Sequence, residues 1–198
     1  MANSKTRGPV GVGSIYQLKV MITGTEPPVW RKVEIPKNAN LGTLHDAIQG
    51  AFGWYDSHLH EFEIFGSSYG VPDEDDADFG LEVHDERRGK LGNLVQPGAK
   101  FTYTYDFGDS WEHEITVEKI VDAQPGVSYP RCTAAERACP PEDCGGVGGY
   151  ADFLEAISDP THEEHEGLLE WVGGEFDPDY VDLTGTNKTL EALGRPVA

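Results

Sequence analysis

The chain has 198 residues, enough for one good core or two small ones, with an ordinary apolar share and four tryptophans to bury. Thirty-five acidic against fifteen basic side chains give a formal charge of −20, which argues against gripping nucleic acid through Lys and Arg contacts to phosphate. The acidity reads as a solubility or salt-adaptation feature, with a surface that collects metal or a basic partner as the alternative. The one dense basic run is Glu86-Arg87-Arg88-Gly89-Lys90. No stretch approaches the roughly 18 apolar residues of a membrane helix. The opening residues lack the apolar centre of a signal peptide, and three cysteines make no secreted disulfide framework. A cytoplasmic location is therefore expected.

Residues 1–13 are polar and glycine-rich and read as a loose tail. From Ser14 to Pro36 the pattern is two strands about a turn at Thr25, Glu26, Pro27 and Pro28. Tyr16, Leu18, Val20 and Ile22 share one face of the first strand, and Val29, Arg31, Val33 and Ile35 share one face of the second. Pro36 closes the pair, because proline cannot donate to a ladder. Leu41, Leu44, Ile48, Ala51 and Phe52 recur at three and four residues, the apolar stripe of a helix over 43–52. Thr43 and Asp46 are its expected capping box and Gly53 its stop. His58, His60, Phe62 and Ile64 then share one face of a return strand. A hairpin, a crossing helix and a return strand make a β-grasp-like beginning.

Residues 66–80 form a loop. Its run of Asp73, Glu74, Asp75, Asp76 and Asp78 lacks the alternate-ligand spacing, central glycine and final glutamate of a calcium loop, and is expected to be a solvated acidic stretch. A short strand and turn follow within 81–95. Residues 101–117 carry the strongest pattern in the chain, a strand, an acidic turn and a returning strand. Phe101, Tyr103 and Tyr105 alternate with Thr102 and Thr104, and Trp111, His113, Ile115 and Val117 alternate with Glu112, Glu114 and Thr116. The aromatic face is expected to meet the helix at 43–52. Beyond Val121 periodicity is lost, and residues 129–150, which hold all three cysteines, read as an irregular loop. Tyr150, Phe153, Leu154 and Ile157 predict a short helix, and Thr161 with Glu164 predicts a capping box for a second over 162–174. A turn and a last helical turn finish the chain.

Three constellations could carry chemistry. Cys132, Cys139 and Cys144 are spaced C-x6-C-x4-C, and three thiolates with one imidazole would satisfy zinc. His113 is the natural fourth ligand, with His58 or His60 in reserve, and buried unliganded thiols are the alternative. Second, the turn residues Asp106 and Asp109, with Trp111 and His113, can form a ligand-binding or metal-binding cluster with His58 and His60; packed strand histidines are the alternative. Third, Gly145–Gly149 precedes a helix but follows no strand and carries no lysine, and Glu142 and Asp143 would repel phosphate, so it reads as a flexible turn. Asp106-Phe107-Gly108 lacks every other kinase element. His162 and His165 are three apart rather than four, which does not fit a zincin helix.

The ordered motifs IYQLKVMITGTEPPVWRKVEIP, LGTLHDAIQGAFGWYDSHLHEFEI, YTYDFGDSWEHEI, ERACPPEDCGGVGGYADFLEAI and HEEHEGLLEWVGGEFDPDYVDL resemble the plasmid ORF-3-like family, named for a plasmid of the pRiA type. Its members also occur as mobile-element passenger proteins labelled TnpR. The resemblance implies one α+β domain over 14–184, leaving 185–198 as a C-terminal tail. The fold expected is a mixed, mostly antiparallel sheet with the β-grasp-like hairpin, helix and strand first and short helices last. The label suggests a recombinase, but a serine recombinase supports its nucleophile with several arginines, and here the arginines are few and scattered. The expectation is a binding or accessory module for a protein or small molecule near the hairpin turn. The rival is a metal-dependent hydrolase using His58, His60, Asp106, Asp109 and His113.

Overall fold

Two-residue alternation along the chain becomes one large sheet. A computed structural model describes residues 13–73, 82–193 and 195–196; most of the N-terminal tail and the acidic residues Glu74, Asp75, Asp76 and Asp78 lie outside the described residues. The strands are β1 (Ser14–Ile22), β2 (Trp30–Pro36), β3 (His60–Ile64), β4 (Ser67–Gly70), β5 (Val83–Asp85), β6 (Lys100–Tyr105), β7 (Trp111–Asp122), β8 (Ser128–Tyr129), β9 (Arg131–Glu136) and β10 (Arg195–Pro196). The helices are α1 (Leu41–Phe52), α2 (Leu91–Leu94), α3 (Gly146–Ser158), α4 (His165–Trp171) and α5 (Leu183–Glu191). Eight strands form a sheet in the order β5-β4-β3-β6-β7-β1-β2-β9, antiparallel except for the β4–β5 pair, and β10 pairs with β8 apart from it. The architecture is α+β. The β-grasp-like order of hairpin, helix and strand is present, but β6 and β7 stand between β1 and β3 in the sheet. No described helix is long and apolar enough to cross a membrane.

The core lies between the sheet and α1. Phe101, Tyr103, Tyr105, Trp111, Ile115 and Val117 are buried, and Tyr103 reaches α1 through hydrogen bonds to His45 and Gln49. Each large side chain so enclosed contributes about 1.5–3 kcal/mol through the water it releases. Gly53 ends α1 as expected. Its N-cap, however, is Asn40, whose Oδ1 accepts from Thr43 N–H at 2.8 Å and from the Thr43 hydroxyl at 2.9 Å. Thr43 is therefore a donor to the cap and Asp46 is not part of it.

Three other expectations change. The cysteine segment is not wholly irregular: β9 extends the sheet beyond β2, with Cys132 opposite Val33. Arg-Cys-Thr-Ala-Ala-Glu shows no apolar alternation, so its strand is made by backbone pairing at the sheet edge. The glycine run is the first turn of α3 rather than a flexible turn. A Cβ at Gly146 would overlap the Asp109 carbonyl oxygen, so glycine there lets the helix press against the hairpin turn, and one at Gly149 would overlap the Cys144 carbonyl oxygen just before the helix. Finally, α5 crosses the boundary expected at 184: Leu190 is buried, and Asn187 exchanges hydrogen bonds with both backbone groups of Cys132. At α4 the N-cap is Glu164 without a side-chain hydrogen bond, because Thr161 is turned toward Asp159 instead.

Candidate functional site at the hairpin turn

Tyr105 and Trp111 face each other across the end of the β6–β7 hairpin, and residues 106–110 close it. Asp106 organises the turn. Its carbonyl accepts from Ser110 N–H at 2.6 Å, and its Oδ1 accepts from Gly108 N–H at 2.9 Å. Asp109 Oδ2 accepts from Gly145 N–H at 3.0 Å, which ties the turn to the start of α3. The segment between α1 and β3 approaches from the other side. Ser57 N–H donates to the Tyr105 hydroxyl at 3.0 Å, and the His58 ring stands edge-on to Tyr105.

His58 Nε2 then sits 3.1 Å from Asp143 Oδ1, 3.6 Å from Asp106 Oδ2 and 4.0 Å from Glu142 Oε2. None of these approaches is aligned as a hydrogen bond, and Nε2 itself is buried and unpartnered. Asp106 and Glu142 divide their oxygens alike, one for structure and one toward His58. Asp106 Oδ1 is held by Gly108. Glu142 Oε1 accepts from Tyr55 N–H at 2.7 Å and from the Tyr105 hydroxyl at 3.1 Å. Burial raises the Tyr105 phenol to about 12, so it remains a donor. Around a first-row divalent cation with bonds of about 2.1 Å, neighbouring ligand atoms stand about 3.0–3.4 Å apart. The ligand atoms of His58, Asp106 and Asp143 all lie within 4.8 Å of one another, and Glu142 stands just outside that set. Backbone strain gathers here too. Asp56, Asp106, Ser110 and Asp143 have φ of 55°, 55°, 54° and 59°, in the left-handed region that non-glycine residues seldom adopt.

A second polar cluster joins α1 to β3 and is buried except at Asp56. His60 Nε2 is 2.7 Å from Glu86 Oε2. His45 Nδ1 is 2.8 Å from the Tyr103 hydroxyl, and His45 Nε2 is 2.9 Å from Asp56 Oδ1. Burial first, and the neighbouring His60 second, hold His45 below the usual imidazole range. The ligand atoms of His45, Asp56 and His60 also lie within 4.8 Å of one another.

The expected site residues thus divide. His58 and Asp106 come together, while His60 turns to Glu86 and Asp109 to α3. His113 is wholly enclosed, its ring edge-on to Phe52 and Trp54, with Nδ1–H donated to the Trp111 carbonyl at 2.9 Å. Burial lowers it to about 4. Trp111 is core, 1% exposed and packed on Trp54. Among the described residues, no group of three metal-competent atoms within that spacing includes Cys132, Cys139 or Cys144. All three are free, and burial raises their thiols, that of Cys144 to about 12. The sequence reading missed His45, Asp56, Glu86, Glu142 and Asp143. A signal existed for His45, which lies four residues after Leu41 and three before Ile48 on the buried helix face.

A family model described as plasmid pRiA4b ORF-3-like protein matches residues 14–185. A relative from Sinorhizobium fredii, "Uncharacterized protein y4hQ", is 42% identical over 185 residues, covering 92% of this chain and 93% of its own. The crystal structure of the Methanosarcina mazei Go1 protein MM3350, described as of unknown function, matches with a TM-score of 0.80 and 39% identity. That match covers 87% of this chain and 97% of that one.

Proposed function

The chain belongs to the plasmid pRiA4b ORF-3-like family, and from that premise we propose that it is an accessory binding module whose hairpin turn holds a divalent cation. His58 Nε2, Asp106 Oδ2 and Asp143 Oδ1 are the ligands, and Glu142 Oε2 stands beside them. The observation that carries this reading is the buried His58 Nε2, which faces three carboxylates at 3.1–4.0 Å with no hydrogen bond to any of them. One imidazole with carboxylates suits Mn2+ or Zn2+ better than Ca2+, which takes oxygen ligands alone. Two carboxylate ligands neutralise a divalent ion. Three protein ligands leave coordination positions open, and there a protein or small-molecule partner supplies a donor atom.

The unit that does this is the domain over 14–184 with α5 packed on it. A cytoplasmic setting and a passenger role in mobile elements accord with the family and the composition. With its charge of −20 the module recognises its partner through the cation, not through phosphate contacts of its own. Calorimetric titration of metal-free protein with MnCl2 or ZnCl2 tests the proposal. One site per chain is expected, weakened at least about tenfold in His58→Ala, since a ligand is lost; equal binding by that variant would refute it.

A further inference from the structure

A second site lies beside the C-terminal end of α1. A cavity of about 600 Å3 opens between the end of that helix, the 138–142 segment and the chain from Trp171 to Thr189, a size within the range of small-molecule pockets. Phe52, Trp54, Phe176, Trp171 and Tyr180 line it, the last two exposed. Arg31 also lines it and is 2% exposed.

Among the described arginines, Arg31 combines burial with the lack of a carboxylate partner; Arg87 is also without a salt bridge but is exposed. Arg88, Arg131 and Arg137 each pair with a carboxylate, of Asp85, Glu34 and Asp179. Arg31 pairs with none. Its Nε donates to the Ala51 carbonyl at 2.9 Å, and Nη1 lies within hydrogen-bonding reach of the carbonyls of Trp30, Glu136 and Arg137 at 2.9–3.1 Å. Nη2 has no hydrogen-bond partner among the described residues. The carbonyl at the end of α1 offsets part of the charge. A buried guanidinium without a counter-ion nonetheless remains costly, and an incoming anion would relieve that cost. The two acidic residues on the lining are already engaged: Glu142 Oε1 by Tyr55 and Tyr105, and Asp182 Oδ1 by Gly185 N–H at the start of α5.

We propose that this cavity binds an aromatic monocarboxylate, its ring among the aromatic side chains and its anion on Nη2 of Arg31. The carbonyls that hold Nε and Nη1 fix the guanidinium in advance, so little ordering is needed on binding. A single negative charge suits the site better than a phosphate dianion, which the strongly acidic molecule would repel. The proposal does not rest on the cation site: Arg31 takes no part there, and Glu142, which borders both, turns Oε1 to Tyr55 and Tyr105 and Oε2 toward His58.

The test is calorimetric titration of the full chain with indole-3-acetate and with its uncharged isostere indole-3-acetamide. The expected result is saturable one-to-one binding of the carboxylate, at least about tenfold tighter than the amide, from a charge-assisted bond made by one and not the other. Arg31→Gln should abolish that preference. Because Arg31 also ties backbone carbonyls together, a second variant is needed. Thr189→Trp on the exposed wall should block binding while leaving Mn2+ binding at His58 intact. No saturable heat with either compound, equal affinity for the two, or undiminished binding in Thr189→Trp would each overturn the proposal.

Discussion

His45 and His60 lie face to face, ring centroids 3.5 Å apart and planes 8° from parallel, each with Nε2 on a carboxylate. The hydrogen bonds around His45 run in one direction. Asp56 N–H donates to Gln49 Oε1, and Gln49 Nε2–H donates to the Tyr103 hydroxyl. With His45 neutral and Nε2–H donated to Asp56, Nδ1 accepts from Tyr103, and the ring of bonds closes on Asp56. This ring fixes the segment that carries His58. Tyr103→Phe removes one member and leaves Gln49 and His45 Nδ1 buried without a partner. A loss of about 1–3 kcal/mol in urea unfolding is expected. Unchanged stability would mean the hydroxyl is dispensable.

His113 makes stability depend on pH. Its folded value of about 4 lies below the ordinary 6.5, so the unfolded chain takes up the extra proton first. The stabilisation is complete above about pH 6.5 and is lost progressively as pH falls to about 4, roughly 3 kcal/mol in all. Urea unfolding of the wild type and of His113→Leu between pH 7 and pH 4 should show a steeper loss in the wild type. Parallel curves would show that His113 does not titrate as described.

Asn40→Ala should cost about 1 kcal/mol by removing the α1 cap, and Asp46→Ala should be nearly neutral. Thermal unfolding of the two variants separates the observed cap from the one that Thr43 and Asp46 suggest. Equal losses would restore the latter.

Where side chains alternate between core and solvent, the sequence is easy to read. The faces of β1, β2, β6 and β7, the stripe of α1 and its stop at Gly53 were all legible. Features made by backbone or by distant parts of the chain were not. β9 follows from pairing at an edge, the cap of α1 from a residue outside its periodic run, and the glycine run became helix because of a neighbour reached only after folding. The site divides the same way. His58 and Asp106 were readable because they flank strong strands. Glu142 and Asp143 were seen only as charges hostile to phosphate, since nothing local says that they fold back onto His58. His113, at the regular inward position of its strand, was core by the same alternation that made it conspicuous.

Gly146→Ala should destabilise the chain by more than about 2 kcal/mol, because its Cβ would overlap the Asp109 carbonyl oxygen and push α3 from the hairpin turn. Gly148→Ala, with open space around it, should be tolerated or mildly stabilising. Thermal unfolding of the pair checks the packing of α3 on the turn. Similar melting temperatures for the two would contradict it.

The most direct measurement is an anomalous difference map from crystals of the chain soaked in MnCl2. A peak is expected about 2.1–2.2 Å from His58 Nε2 and from oxygens of Asp106 and Asp143, absent in His58→Ala. A map without a peak at the hairpin turn, or a peak that survives the substitution unchanged, would contradict the proposed cation site.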